Sequence, residues 1–315
     1  MTQQAVRPTA WQEFKRGIAK HGLGKALQIS AGYGVGLLRK FPYRTKKKIQ
    51  NAYVNRVRKS LPNGQLIKEI QGSPMVLNLN DHGISTELFL TGVHEGNSTN
   101  FIRGELKPGM TIVEIGANVG YYTLLESRII GETGKIIAYE PNPDNFYGLR
   151  MNIMLNKLEN RTELYPYAVG EKSGVHDFYL ADKGNLSSFA VRDDRLCHYE
   201  KIQVKTVALD DVLHEKFDYF RMDVEGYEWA ILAGMKRILS APDAPYGMFI
   251  ELHSELLKQF DQSAESLVRL VKGYGYEVKK AFFRGHDTPS VSSTEEFLNH
   301  PWREKGYWET FFAKR

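Results

Sequence analysis

Three short stretches of the sequence carry residue types whose spacing could do chemistry. The first is Glu114-Ile115-Gly116-Ala117-Asn118-Val119-Gly120, an acid-x-Gly-x-x-x-Gly loop at the end of the β-branched run Thr111 to Ile115. Glycines 116 and 120 allow a tight strand-to-helix turn and a close main-chain approach, and the helix that follows offers free N–H groups to a carboxylate. Asn118 stands where the dinucleotide fingerprint has its second glycine, which disfavours a pyrophosphate. The second stretch ends in Glu140, twenty residues beyond Gly120, at the place and spacing of an acid that holds a ribose diol. Together they describe an adenosine with an amino-acid tail, and S-adenosylmethionine has both parts.

The third stretch pairs Asp223-Val224-Glu225-Gly226 with Glu251-Leu252-His253, each closing an apolar run. Transfer of a methyl group from a sulfonium is an in-line displacement, so alignment of the acceptor oxygen is the main task. An aliphatic hydroxyl also needs somewhere to put its proton, and a base within hydrogen-bond reach supplies it. His253, with an unperturbed pKa of about 6.5, is the leading candidate base. Asp223 is a second candidate that could instead hold the cofactor's amino group, and Glu225 could orient either partner. A hydrogen-bonded structural role for His253 is the bland alternative. These acids and His253 could also ligate Mg²⁺, but no spacing dictates coordination, so a metal-free site ranks first. Ser187 and Ser188, after Gly184-Asn185-Leu186, fall in a loop that either contacts the acceptor or is a solvated turn.

These residues need elements to hold them. The spacing predicts strands at Met75 to Leu79, Thr111 to Ile115, Lys135 to Glu140, Glu163 to Val169, Tyr219 to Val224, Gly247 to His253, Glu277 to Phe283 and Tyr307 to Lys314. Between them it predicts helices at Ile84 to Thr91, Asn100 to Leu106, Tyr121 to Ile130, Asn142 to Asn156, Glu228 to Leu239 and Ser263 to Lys272. Strands alternating with helices make right-handed βαβ units and hence an α/β, doubly wound, mostly parallel sheet. Ligands of such sheets sit outside the carboxyl ends of the strands, where all three stretches fall.

Composition narrows the class further. With 315 residues, 42% hydrophobic and 25% charged, the chain is an ordinary globular one, and its single cysteine, Cys197, excludes an internal disulfide and a Cys-cluster zinc site. The longest run without a charged residue or histidine, Ala26 to Leu38, has thirteen residues, short of the roughly 20 that span a bilayer. Charge is divided unevenly. Residues 1–60 hold fourteen of the 42 Lys and Arg but one of the 37 acids, a net of +13, which leaves 28 basic and 36 acidic residues, or −8, for the rest. Glycines interrupt a helical start at Thr9-Ala10-Trp11-Gln12, and the tract Ala31 to Gly36 follows no strand and is a decoy. Interleaved Trp11, Phe14, Leu23, Leu27, Leu37 and Leu38 favour an anionic membrane surface over nucleic acid as the partner of this extension, with a solvated tail as the alternative. The location expected is the cytoplasm, peripheral to the cytoplasmic face of the membrane.

Six stretches in order resemble the FkbM-type methyltransferases: Val113 to Thr123, Tyr139 to Pro143, Tyr167 to Gly170, Leu209 to Leu213, Arg221 to Glu228 and Ile250 to His253. The resemblance covers about residues 70–315. It implies a class I, Rossmann-like methyltransferase with a seven-stranded sheet and an antiparallel C-terminal strand, using S-adenosylmethionine to O-methylate sugars and other hydroxyl-bearing molecules. It also implies that Glu114, Gly116, Ala117, Asn118 and Gly120 surround the methionine end, Glu140 holds the ribose, Pro141 and Asn142 meet the sugar and adenine edge, and the main chain near Ala168 meets the adenine. Glu114 replaces the more usual Asp, and Arg221 the usual Lys. The organisation expected is a basic extension over 1–60, a helical lead-in or cap over 61–108 and the Rossmann-like domain over 109–315. The function expected is O-methylation of a sugar or glycoconjugate, lipid-linked if the extension docks on a membrane. The alternatives are an RNA ribose methyltransferase, since the Asn/Asp-Pro-Pro-aromatic motif of base N-methylation is replaced by Asp223-Val224-Glu225-Gly226, and a non-catalytic adaptor on a methyltransferase fold.

Overall fold

The computed structural model describes residues 43–81, 83–182, 186–191, 198–284 and 290–314. The helical start at Thr9, the glycine tract, Gly184, Asn185, Cys197 and most of the basic extension lie outside them. The chain divides into two compact units, Met1–Gly92 and Val93–Arg315.

In the first unit, α1 (Tyr43–Ser60) is followed by the antiparallel hairpin β1 (Gln65–Ile70) and β2 (Ser73–Asn78) and by α2 (Ile84–Thr91). Gln71 and Gly72 both take positive φ, 51° and 85°, the requirement of the two-residue hairpin turn they form. Leu66, Met75, Leu77, Leu88 and Phe89 are buried, and Lys68 Nζ donates to the carbonyls of Leu88 and Phe89 at 3.1 and 2.7 Å, satisfying two acceptors at the end of α2. Arg44, Lys47, Lys48, Arg56 and Lys59 of α1 are exposed, with no acid in that helix, and Val54 and Val57 are its buried residues. Among the described residues no helix is long and apolar enough to cross a membrane.

The second unit begins with α3 (Gly96–Glu105), then β3 (Thr111–Ile115), α4 (Tyr121–Ile130), β4 (Lys135–Tyr139), α5 (Pro143–Leu155) and β5 (Thr162–Tyr165). Three strands, β6 (Ala168–Val169), β7 (Gly174–Ala181) and β8 (Tyr199–Val207), then form a separate small sheet in the order β6-β8-β7. The chain returns through α6 (Leu209–Val212), β9 (Tyr219–Met222), α7 (Glu228–Ala233), α8 (Lys236–Ser240), β10 (Gly247–His253), α9 (Ala264–Gly273), β11 (Tyr276–Phe283), α10 (Thr294–Asn299) and β12 (Tyr307–Lys314). The main sheet has the order β11-β12-β10-β9-β3-β4-β5. Six strands run one way, and β12 runs against β10 and β11. Every residue of β9 and β10 is buried, as expected of central strands covered on both faces. The order of winding reverses between β3 and β9, which fixes where a ligand crevice forms.

Several boundaries differ from those expected. The run Glu163 to Val169 breaks at Pro166-Tyr167, so that β5 pairs with β4 while β6 pairs with β8; Pro166 has no N–H to give a ladder. The helix expected over Glu228 to Leu239 is interrupted at Gly234, where a Cβ would stand 2.2 Å from the Gly170 carbonyl oxygen. The hairpin strand β1, the helix α1 and strands β7 and β8 carry no matching expectation.

Candidate active site

The first wall of the crevice is made mostly of main chain. Beyond β3, Gly116 (φ 82°), Asn118 (φ 52°) and Gly120 (φ 89°) adopt left-handed conformations, and the N–H groups of Gly116 and Ala117 both donate to the Tyr139 carbonyl at 2.9 and 3.1 Å. A Cβ on residue 116 would lie 2.0 Å from the carbonyl oxygen of Asp223, so the chain leaving β3 touches the chain leaving β9. Glu140 follows β4, only 5% exposed, and accepts from the N–H groups of Asn118 at 2.8 Å and Asn142 at 2.9 Å, one on each oxygen. Burial pushes its carboxyl up to about 7, against the opposing pull of these donors. Asn142 caps α5 by accepting from Asp144 and Asn145, and its amide donates to Ser187 Oγ at 3.1 Å.

Gly116, Asn118, Glu140, Pro141 and Ala168 line one cleft together with Asp223 and Glu225. Phe178 and Phe189, with Tyr227 (4.3 Å between the Phe189 and Tyr227 rings), close its apolar side. Glu114, Ala117, Gly120, Asn142 and His253 lie behind this lining. Gly120 begins α4 against Leu149, and Ala117 packs in the core. Glu114 is wholly buried, where Thr123 Oγ1 donates to it at 2.8 Å and the Arg221 guanidinium stands 3.6 Å away. Burial outweighs that cation and sets the Glu114 carboxyl at about 7.

The second wall is a network of buried charges at the ends of β9 and β10. Arg221, paired with Glu114 in the β3–β9 register, stacks on Tyr122 at 3.6 Å and stands 3.6 Å from both Glu95 and Asp223. Glu95 also accepts from Tyr122 Oη at 2.9 Å and meets His94 and Arg284 at 3.0 and 3.1 Å. Burial raises the Glu95 carboxyl, but His94, Arg284 and Arg221 together hold it well below the usual carboxylate range. His253 is 1% exposed with both ring nitrogens engaged: Nδ1 lies 2.6 Å from Glu228 Oε1, and Nε2 lies 3.1 Å from Glu225 Oε2. Burial disfavours its cation, yet Glu225 and Glu228 prevail and hold its pKa well above the ordinary value, so the imidazole is charged at neutral pH. The Gly226 N–H donates to Glu228 at 2.9 Å. Glu225 (φ 56°) and Gly226 (φ 105°) are consecutive left-handed residues, and this turn aims the Glu225 carboxylate at His253. Burial, with Glu95 and Glu225 adding to it against Arg221, raises the Asp223 carboxyl. Donor atoms of Asp223, Glu251 and His253 lie within 4.8 Å of one another, the spacing of a metal-ligand set.

Glu95, Glu228 and Arg284 have no assigned role in the sequence reading, and Arg221 enters it only as a departure from a pattern. Glu228 had a signal, an acid two residues after Gly226 at a helix start. Glu95 and Arg284 had none, because they reach the site from segments far away in the chain.

The sheet order and the crevice at its reversal are those of the class I, Rossmann-like methyltransferase fold. A family model described as "Methyltransferase FkbM domain" matches residues 114–278. This chain belongs to that family. No curated protein matches it in sequence. Among solved structures, the methyltransferase FkbM from Methylobacillus flagellatus KT is 17% identical over 67% of this chain and 45% of that one, with a TM-score of 0.40. A transferase candidate from Pyrococcus horikoshii is 16% identical over 89% and 97% of the two chains, TM-score 0.44. An rRNA-methylase candidate from Clostridium thermocellum is 9% identical over 70% and 94%, TM-score 0.43. None of the three is close enough to carry an argument about substrate.

Proposed function

We propose that the protein is an S-adenosylmethionine-dependent O-methyltransferase acting on a hydroxyl of a sugar or glycoconjugate. One observation carries the reading: Glu140, held by two main-chain N–H groups, and the carboxylates of Asp223 and Glu225 line the same cleft. In this reading Glu140 accepts from the ribose hydroxyls, Pro141 and Ala168 flank the adenosine, and Asn118 with the Gly116 turn faces the methionine end. Glu114, Ala117, Gly120 and Asn142 support that surface from behind. The acceptor hydroxyl sits against Asp223 and Glu225. As the C–S bond breaks and the C–O bond forms, the electron pair stays on sulfur and the hydroxyl proton passes to this carboxylate pair. His253 is cast differently from the sequence reading: already charged and clamped by two carboxylates, it fixes Glu225 rather than taking a proton.

Helix α1 gives this enzyme a means of staying near an anionic surface. Its exposed cations accompany exposed Ile49 and Tyr53, 41% and 36% accessible, a combination suited to acidic headgroups, with a lipid-linked glycan as the natural acceptor there. RNA is the second reading, because the same cations would hold phosphates. The test is transfer from methyl-tritiated S-adenosylmethionine to a lysate of the source organism, divided into organic-soluble, small polar, RNA and protein fractions, with Glu140→Ala alongside. Label in the organic or small polar fraction that disappears with Glu140→Ala is the expected result. Label confined to RNA overturns the sugar reading, and no label in any fraction with folded protein overturns the enzyme reading.

A further inference from the structure

The surroundings of His253 Nε2 are unusual for a purely structural histidine. Three carboxylates approach this one nitrogen: Glu225 Oε2 at 3.1 Å, Glu251 Oε1 at 3.7 Å and Asp223 Oδ1 at 3.9 Å. The opposite nitrogen is fixed by Glu228, so the ring cannot turn away without losing a 2.6 Å contact inside the core. Glu251 is 1% exposed, and its Oε2 has no hydrogen-bond partner among the described residues, although Arg284 holds Oε1 at 2.5 Å. A buried carboxyl oxygen without a donor costs about 1–3 kcal/mol, more when charged, and a cation bound beside Glu251 would relieve that cost. Five carboxyl groups, those of Glu95, Asp223, Glu225, Glu228 and Glu251, crowd here around the guanidinium groups of Arg221 and Arg284 and the imidazole rings of His94 and His253.

We infer that Asp223, Glu251 and His253 form a divalent-cation site beside the cleft, suited to Mn²⁺ or Mg²⁺. Two carboxylate oxygens and one imidazole nitrogen make a mostly hard donor set, which favours these ions over the softer ones that select thiolates. The ion takes the place of the proton that His253 Nε2 otherwise shares with Glu225, while the Glu228 carboxylate on Nδ1 orients the ring and raises its basicity. Asp223, whose side chain is 23% exposed and lines the cleft, gives the ion its route in and leaves the remaining positions to water or to acceptor oxygens. A hydroxyl bound there loses its proton more readily, and Glu225, outside the ligand trio, is placed to receive it. A pair of neighbouring hydroxyls, as on a sugar, fits two open positions of such an ion. The use of the ion in methyl transfer rests on the proposed function, whereas its binding does not.

The experiment titrates Mn²⁺ into the full chain and follows free Mn²⁺ by electron paramagnetic resonance, with S-adenosylhomocysteine binding measured separately by calorimetry. The expected result is one Mn²⁺ per chain, weakened at least about tenfold by Glu251→Gln and by Asp223→Asn, while Glu251→Gln leaves S-adenosylhomocysteine affinity within about twofold. Mn²⁺ that stays free at about 1 mM with the folded wild-type chain overturns the site, as does Mn²⁺ that binds both variants as well as wild type. A chain that binds S-adenosylhomocysteine but no Mn²⁺ overturns the ion site alone, and one that binds Mn²⁺ but no S-adenosylhomocysteine overturns the cofactor reading alone.

Discussion

The two walls of the cleft are built on different principles. Between Gly116 and Asn142 the chain presents main-chain amides and one carboxylate that they satisfy, all within a short span of sequence. The other part is made of side-chain charges, Asp223 and Glu225 on the lining with Glu228, Glu251 and His253 behind them, which meet Arg221, Arg284 and Glu95 only once segments distant in the chain have come together. A wall of main chain depends on backbone conformation and tolerates little at its glycines. A wall of buried charges depends on every partner being present, since removing one strands the others without compensation.

That contrast is sharpest in Glu228→Ala, which leaves His253 Nδ1 and the Gly226 N–H buried without their acceptor. Urea denaturation should show a loss of about 3–5 kcal/mol. A loss below about 1 kcal/mol would mean that the second wall is not an interdependent network. The first wall is broken by Gly116→Ala. A left-handed residue with a Cβ costs about 1–2 kcal/mol, and the contact with the Asp223 carbonyl must open as well. S-adenosylhomocysteine binding, read by calorimetry, should fall well over tenfold, with a stability loss above the ~1–2 kcal/mol of the left-handed conformation alone; unchanged binding would move the cofactor off this turn.

The smallest effect is a pH dependence. Glu140 has its carboxyl raised to about 7 in the folded chain, so its protonation favours the fold; that contribution is fully present below the unfolded value of about 4.3 and is lost as pH rises through 7. Ribose hydroxyls donate best to the ionised form, so cofactor affinity has the opposite slope. S-adenosylhomocysteine should bind about tenfold more weakly for each pH unit below 7 and level off by about pH 8. Glu140→Gln should flatten that profile, and a profile that keeps its slope in the variant would assign the titration elsewhere.

The same division explains what the sequence made legible. Glycines with positive φ, an acid at a strand end and an Asn-Pro helix start act within a few residues, so the Gly116 turn, Glu140 and the Asn142 cap could be read from spacing. Tyr121–Ile130, Gly247–His253 and Tyr307–Lys314 were bounded at both ends because their apolar runs are buried almost throughout. Strand β7 escaped notice because its first four residues are exposed and show no alternation, and α1 because its charges conceal a helix whose buried residues, among those described, are Val54 and Val57. Glu95 and Arg284 are invisible to any local pattern, because their partnership exists only after the sheet has ordered itself.

The direction of β12 has a practical consequence. Tyr307 lies opposite His253 at the cleft rim, and the strand then runs back along β10 until Lys314 donates its N–H to Tyr246, on the far rim of the sheet. Seven residues of strand at about 3.3 Å each put some 20 Å between those two points. A label at Lys314 therefore sits at the opposite edge of the sheet from one at Tyr307, and the pair would separate a change confined to the cleft side from one that moves the whole sheet.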